Sequence, residues 1–493
     1  MNNLEPRRSG IVEALKERDL VRSFKQDITL TQDQKEGLQQ IKAFLQSGNA
    51  AFSLSGPAGT GKTTLLKEVI KGLRSISISA PTHRAKEIAS GMTGVLNCFT
   101  LAELLGMNPD VDIANFDPHN MTFAQKREPK MGKYQVNIID ECSMVNPDLD
   151  NLIRLTAEEQ GVQVIYVGDK CQLPPIKSLE DSTSFDCVNS YSLTQIVRQE
   201  ATNPLTYLLY TIRYMQDLYT SDRNDTKARF DEVWDILMLF KLNLDYDKMY
   251  TNRKNLFFYL IQRDDIREGK GFVIVKNEDE FYKKALVGLK NDGRILAFTN
   301  DKVKESNKMI RELLGFKKQF EHGELITGYK TLRDERNNMF LTNSKDYRVI
   351  SKEPKISVNG IQVLRLGLQD VSTMGQTFVD IMHPSEYDTF MSLYYKAEAE
   401  AREKRNWPKF FQLKDAHAFT AWNNPEKKPG NDLEYGYAIT IHKSQGGTYK
   451  YGYVHLNDIL KYVKPDDKKS VLFGLKLLYV AASRATDATI FKY

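Results

Sequence analysis

Cysteine is scarce in this chain. Four thiols stand among 493 residues, at Cys98, Cys142, Cys171 and Cys187, with no CxxC pair and no histidine at metal-ligand spacing. This argues against a disulfide scaffold and against a zinc site, and points to small buried thiols in a reducing compartment. Long apolar runs are missing too. Glu5, Arg7 and Arg8 break the N-terminus early, so no signal core is expected there. The most apolar late stretch, residues 471–482, contains Lys476 and is too short to span a bilayer. Nor does one sign of charge dominate. With 69 Lys and Arg against 64 Asp and Glu the net charge is +5, too little to mark a nucleic-acid binder, although a local basic groove fits within it. Repeats and low-complexity tracts are absent. The remaining composition, 41% hydrophobic and 27% charged, is that of a soluble globular protein with room for two to four domains.

Short apolar runs at 51–55, 75–80, 135–140 and 162–168 read as strands, with helical patterns between them such as Thr63–Ile70. Strands separated by helices predict a parallel, doubly wound sheet. The rhythm returns late. Residues 294–300 and 451–456 and 488–493 read as strands, 475–485 as a helix, and 301–314 as a helix burying Val303, Ile310, Leu313 and Leu314. The expectation is therefore α/β, with two parallel-sheet domains. Between them lie an aromatic-rich helical insertion (206–275) and a stretch of short strands with a charged helix at 386–405.

The strongest chemical signal is Gly56-Pro57-Ala58-Gly59-Thr60-Gly61-Lys62-Thr63, followed by Thr64. It fits GxxxxGK[ST] between a strand and a helix, the setting of a phosphate-binding P-loop. Its glycines let backbone N–H groups curl around phosphate oxygens, and the helix N-terminus adds positive potential. Lys62 is expected to reach the β- and γ-phosphates of ATP, and Thr63 to hold Mg²⁺. Asp140 and Glu141 end the third strand, where ligands bind in open α/β sheets. Asp140 suits the Mg²⁺ shell and Glu141 the attacking water. Gln172, after the fourth strand, is placed to sense the γ-phosphate.

Together these segments resemble helicase motifs I, II and III of superfamily 1 DNA helicases. Further segments extend the resemblance in family order from residue 30 to residue 486. Thr31-x-Asp33-Gln34 looks like the adenine-reading Q motif, and Ala80-Pro81-Thr82-His83 like motif Ia. Leu193–Arg198 looks like motif IV, residues 436–447 with His442-Lys443-Ser444-Gln445-Gly446 like motif V, and residues 478–485 with Arg484 like motif VI. The phage Dda group is the nearest likeness, with RecD-type helicases next.

What the resemblance implies is two RecA-like domains with inserted accessory subdomains, one a small β-barrel. The expected layout is an N-terminal extension (1–28), a first RecA-like domain (29–190, with a hairpin at 106–134), and a second (191–320 and 436–493) interrupted by the accessory subdomain (321–435). Gln34, Gln445 and Gly446 are expected at the nucleotide, and Arg198 and Arg484 as arginines supplied across the cleft. Pro81, Thr82, His83, Thr100, Phe123, Thr299, His442 and Lys443 are expected on DNA, Phe123 at the tip of the strand-separating hairpin. The chain departs from the Dda pattern at Thr100-Leu101-Ala102, where that group has a histidine, and at Ser483, where threonine is usual.

The implied activity is ATP-driven movement along single-stranded DNA, 5′ to 3′, coupled to duplex unwinding. Implied partners are single strands and single-strand/duplex junctions, and replication or recombination proteins. A monomer in the cytoplasm, with no membrane partner, is expected. Alternatives are a translocase that displaces proteins without strong unwinding, an ATP-switched binding protein, and a RecD-like subunit of a nuclease complex.

Overall fold

The computed structural model describes residues 30–107, 127–175, 181–195, 197, 203–220, 265–267, 269–334, 339–357, 360–405, 407, 409–410, 413, 417–418, 432–464 and 467–493. The 1–28 extension, Phe123, Arg198 and most of the helical insertion lie outside these residues.

Six runs form the first sheet: β1 (Ala51–Ser55), β2 (Ile76–Ala80), β3 (Cys98–Thr100), β4 (Val136–Ile139), β5 (Gln163–Gly168) and β6 (Asn189–Ser192). Their order is β3-β2-β4-β5-β1-β6, and every neighbouring pair is parallel. The central strands β1, β2, β4 and β5 are buried on both faces by apolar side chains and small polar ones such as Ser53, Ser77 and Ser79. Successive side chains serve opposite cores, as the twofold period of a strand requires. In β5, Val164 and Tyr166 join the cluster under the helix Pro147–Gln160, while Ile165 and Val167 join the one beneath Gln32–Ser47 and Lys62–Lys71. The buried amide of Asn137 is tolerated in β4 because it accepts from the Ser77 hydroxyl at 2.6 Å and donates to the Met131 carbonyl at 3.2 Å.

The second sheet takes β7 (Asp265–Arg267), β8 (Lys270–Val275) and β9 (Gly293–Ala297) from before a long interruption. From after it come β17 (Ala438–Thr440), β18 (Tyr449–His455) and β19 (Ala485–Lys492). The order is β17-β9-β18-β19-β8-β7, parallel except for β7 against β8. The interruption holds β10 (Leu325–Gly328), β11 (Leu332–Arg333), β12 (Met339–Leu341), β13 (Asp346–Ile356), β14 (Gln362–Asp370), β15 (Gln376–Met382) and β16 (Leu433–Tyr435), with the helix Tyr387–Lys404. Five of these make an antiparallel sheet, β15-β14-β13-β10-β16, and β11 pairs with β12.

Two expectations are corrected by the packing. Strands β3 and β6 were not anticipated, because Cys98-Phe99-Thr100 and Asn189-Ser190-Tyr191-Ser192 carry no apolar run. In the helix Asn300–Leu313, Val303 and Ile310 are buried as expected, but Leu313 and Leu314 are exposed. Polar residues fill the inner face instead. Ser306 bonds His455 at 2.9 Å, Asn307 bonds the backbone at Tyr435 and Ala438, and Arg311 donates to Glu324 at 2.6 Å.

The neck of the excursion between β3 and β4 is closed. Arg127 N donates to Gly106 O at 3.1 Å and Lys130 N to Leu104 O at 2.8 Å. Gly106 stands at φ 68°, and a Cβ there would run into the Arg127 carbonyl.

Glu324 is wholly buried and its carboxylate pairs with Arg311 at 2.6 Å. Arg311→Leu is expected to cost about 3 kcal/mol by leaving that carboxylate unpaired, whereas Arg311→Leu with Glu324→Leu recovers most of the loss. Unfolding midpoints of the two variants check this, and equal midpoints would show that the pair carries no coupling.

Candidate nucleotide site and interdomain cleft

The loop after β1 turns through two left-handed glycines, Gly59 at φ 86° and Gly61 at φ 78°, before the helix Lys62–Lys71 begins. Gly61 is the helix N-cap and offers no side chain, so the first backbone N–H groups of the helix face the loop's hollow. A Cβ on Gly61 would strike the Gln34 amide, which fixes glycine there. Gln34 itself is spoken for. Its Nε2 donates to Thr60 O at 2.9 Å, and its Oε1 accepts from Thr31 N at 3.0 Å within a capping box. Instead of pointing freely toward a base, Gln34 braces the P-loop. Thr60 Oγ1 tightens the same turn by donating to Pro57 O at 3.0 Å. Lys62 Nζ donates to Gly56 O at 2.8 Å and Pro57 O at 2.9 Å. Burial pushes its ammonium pKa down, against the pull of Asp169, Glu141 and Asp140. This is a cation held among neutral carbonyls, suited to an incoming anion.

Asp140 and Glu141 leave the end of β4. Burial, then the neighbouring Glu141 carboxylate, raises the Asp140 pKa to about 7, while its Oδ1 accepts from Glu141 N at 2.9 Å. Glu141 adopts φ 53°, a left-handed conformation uncommon for a side chain of this size. Gln172 and Gln445 are buried, and Gln172 Oε1 and Gln445 Nε2 lack hydrogen-bond partners among the described residues. Unsatisfied amides at such a place fit a polar ligand.

The second sheet reaches this site through one helix and one loop. The helix Lys468–Ser483 brings Tyr479, whose hydroxyl accepts from Ala58 N of the P-loop at 3.1 Å and donates to Asp169 Oδ2 at 2.7 Å. Arg213, on the helix Pro204–Thr220, pairs with Asp169 Oδ1 at 2.6 Å. Burial works against charge on Asp169, but Arg213, Lys62 and the Tyr479 hydroxyl outweigh it and hold the carboxyl below its ordinary value. The loop after β5 plugs into the second domain: Cys171 and Leu173 lie in its apolar core beside Leu205, Ile212 and Leu478. Lys476 adds a donation to Lys170 O at 3.2 Å and an ion pair with Asp181. Arg484 ends the same helix almost fully buried. Its partners are the carbonyls of Val480 and Gly447 and the Ser483 hydroxyl, at 3.3–3.4 Å, and among the described residues it has no carboxylate. It is therefore no surface ion pair.

The DNA candidates fall at the carboxyl ends of strands in both sheets. Thr82 caps the helix His83–Thr93, accepting from Ala85 N at 3.2 Å, with Pro81 and His83 buried beside it. Thr100 stands opposite Ala80 in the neighbouring strand, but its hydroxyl caps the next helix by accepting from Glu103 N at 3.2 Å. Thr299 is bound by Asp458 at 2.8 Å and caps Asn300–Leu313. Thr100 and Thr299 are thus engaged as helix caps. His442 has its pKa lowered to about 4 by burial, so at neutral pH it offers an uncharged ring. Lys443 Nζ donates to Asn343 Oδ1 at 2.9 Å and lies 3.8 Å from the Tyr329 ring centre. Gly446, at φ 75°, sits against Ala85, so motif V and motif Ia meet at the domain boundary.

Arg213 and Tyr479 were not singled out from sequence. The available signal was an arginine set among Leu205, Leu208, Leu209, Ile212 and Met215 in an otherwise apolar helix face.

A P-loop after β1 and an acidic pair after β4, both at carboxyl ends of one parallel sheet, with a second parallel sheet reaching the P-loop through Tyr479, give the layout of a nucleoside-triphosphate site. Residues 29–212 match the family profile described as an AAA domain. Among curated proteins, the chain is 26% identical to the ATP-dependent DNA helicase Dda of Enterobacteria phage T4, covering 92% of this chain and 97% of that one. It is also 28% identical to the RecD subunit of the RecBCD enzyme of Buchnera aphidicola (51% and 46% covered). With the RecD2 DNA helicase of Deinococcus radiodurans it shares 32% (36% and 23% covered). The resemblance to superfamily 1 helicases of the Dda group thus holds over nearly the whole chain, with RecD-type helicases also similar.

The acid pair generates a pH prediction. The folded chain holds a proton on Asp140 up to about pH 7, against 3.8 for the free group. Both states are protonated below 3.8, and as pH rises through about 7 the folded state loses that advantage. Asp140→Asn removes the penalty. Without nucleotide it should therefore melt higher than the parent chain at pH 8 but not at pH 4, and a pH-independent difference would refute the assignment.

Proposed function

We propose that the chain is an ATP-dependent DNA helicase that moves 5′ to 3′ on single-stranded DNA and couples ATP hydrolysis to duplex unwinding. The observation that carries the reading is the Tyr479–Ala58 contact, which seats the motif VI helix of the second domain on the P-loop of the first. Chemistry at the phosphates and the angle between the domains then share atoms.

In this reading the P-loop residues 56–64 cradle the phosphates, with Lys62 leaving its carbonyl partners to meet the β- and γ-oxygens. Thr63 and Asp140 are the residues that would hold Mg²⁺. Their fit rests on the half-buried Asp140 carboxyl, a hard oxygen donor whose ionisation a nearby cation would favour. The ion supplies charge neutralisation on the phosphate oxygens. Glu141 orients and polarises the attacking water, and Gln172 and Gln445 offer their free amide atoms to the nucleotide. Arg484, with Arg198, neutralises charge on the transferred phosphoryl group, an effect worth roughly 10³–10⁵ in rate.

DNA is assigned to the strand ends bearing Pro81–His83 and His442–Lys443, whose following residues Ala85 and Gly446 meet. The contact is by backbone and neutral polar groups together with Lys443. Phe123 at the duplex junction belongs to the same proposal. The antiparallel sheet of the interruption is read as a small barrel-like subdomain. The Thr377 Oγ1 bond to Phe340 O at 3.1 Å, which ties edge strand β15 to the β11–β12 hairpin, supports that closure. Among the described residues no helix is long and apolar enough to cross a membrane. Residence in the cytoplasm as a monomer completes the proposal.

Glu141→Gln should retain ATP binding while turnover falls by a factor of about 10² or more, and Lys62→Ala should lose both. Single-turnover hydrolysis with and without single-stranded DNA measures this. Near-normal hydrolysis by Glu141→Gln would remove that residue from the water. A duplex with only a 5′ tail should be unwound, and one with only a 3′ tail should not. Unwinding of the 3′-tailed duplex alone would reverse the polarity. Phe123→Ala should slow unwinding several-fold while DNA-stimulated turnover changes little.

A further inference from the structure

One tyrosine hydroxyl ties the two domains to the phosphate-binding loop. A hydroxyl can donate once and accept twice. The Tyr479 hydroxyl donates to Asp169 Oδ2 at 2.7 Å and accepts from Ala58 N at 3.1 Å and from Arg213 NH1 at 3.2 Å. It is saturated. The ring is completely buried, so no water is at hand to replace a lost partner. Two of its partners, Ala58 and Asp169, belong to the first domain. Arg213 belongs to a helix packed on Tyr479's own, with Asn203 at its start bonded to the carbonyls of Thr486 and Asp487.

Ala58 lies within the loop, residues 56–64, that cradles phosphate in the reading above, and here its N–H is occupied by the second domain. We propose that Tyr479 is a positioning residue that holds the Ala58 amide until the terminal phosphate of a nucleoside triphosphate competes for it. This rests on the nucleotide reading above and adds to it. Occupation of the loop and the grip of the second domain on the loop become alternatives for a single N–H. The Asp169–Arg213 pair does not compete with phosphate. It keeps the tyrosine tethered, so losing Ala58 turns the ring about that anchor and displaces its helix. Arg484 follows five residues later on that helix, and the same displacement repositions its guanidinium.

The test compares triphosphate with diphosphate. In Tyr479→Phe the ring stays in its core while the amide is freed. With the full chain and no DNA, the variant should bind a fluorescent non-hydrolysable ATP analogue about fivefold tighter, while affinity for the matching ADP analogue changes less than about twofold. The stimulation of turnover by single-stranded DNA should fall by a similar factor. Arg213→Lys keeps a charge beside Asp169 but cannot serve both partners, and should move the triphosphate-to-diphosphate ratio the same way by less. An unchanged ratio in Tyr479→Phe, or a weakened triphosphate affinity, overturns the proposal. If Tyr479→Phe fails to fold, an unchanged ratio in Arg213→Lys does so. Failure of the parent chain to bind either nucleotide sinks the nucleotide reading, and this inference with it.

Discussion

Asp169 carries a charge with no exposure to water, and it does so because a cation from the other sheet reaches it. A carboxylate alone in that position would be protonated or would forbid the fold. The first domain therefore ends β5 in a group whose side-chain hydrogen bonds and ion pair come from the second domain. Everything else in the cleft follows from this dependence. The loop after β5 is drawn far enough across to bury Cys171 and Leu173 in the opposite core, and Tyr479 is carried onto the P-loop. At the place where the phosphates are read, the two domains are thus joined by buried polar contacts beside the apolar plug of Cys171 and Leu173. A broad apolar seam would be stiffer. It would also be indifferent to what the P-loop holds.

The same cleft leaves several groups in a state that a ligand would relieve. Lys62 rests on carbonyls, Arg484 on carbonyls and a hydroxyl, and Asp140 keeps its proton to about neutral pH. Each is a charge, or a latent charge, waiting for its opposite sign. An anion with a divalent cation supplies both. This complementarity is stronger evidence for a triphosphate site than any single distance in it.

Much of this was legible beforehand, and the reasons are specific. The P-loop is legible because left-handed turns demand glycine, and Gly59 and Gly61 take those conformations. The central strands are legible because two covered faces favour short runs of apolar and small residues, whereas β3 and β6 lack them. What escaped was polar. The inner face of Asn300–Leu313 is built from Ser306, Asn307 and Arg311, whose burial depends on partners more than ten residues away in sequence. Gln34 matches an adenine-reading motif, yet its amide is consumed in bracing Thr60. Arg213 lay in no motif at all. A sequence shows which groups need partners but does not show who supplies them.

The closed neck at Gly106 and Arg127 has a consequence for how such chains diversify. Two backbone hydrogen bonds join the ends of the excursion, and the short helices Leu101–Leu104 and Met131–Lys133 connect those ends to β3 and β4. The geometry of the sheet is consequently insulated from the length and composition of residues 108–126. Lengthening a loop whose ends are already joined costs only about 0.6 kcal/mol per doubling. Changes of sequence between Met107 and Arg127 are therefore expected to leave the register of β3 and β4 in the sheet untouched, so that selection can work on that span and on the engine separately.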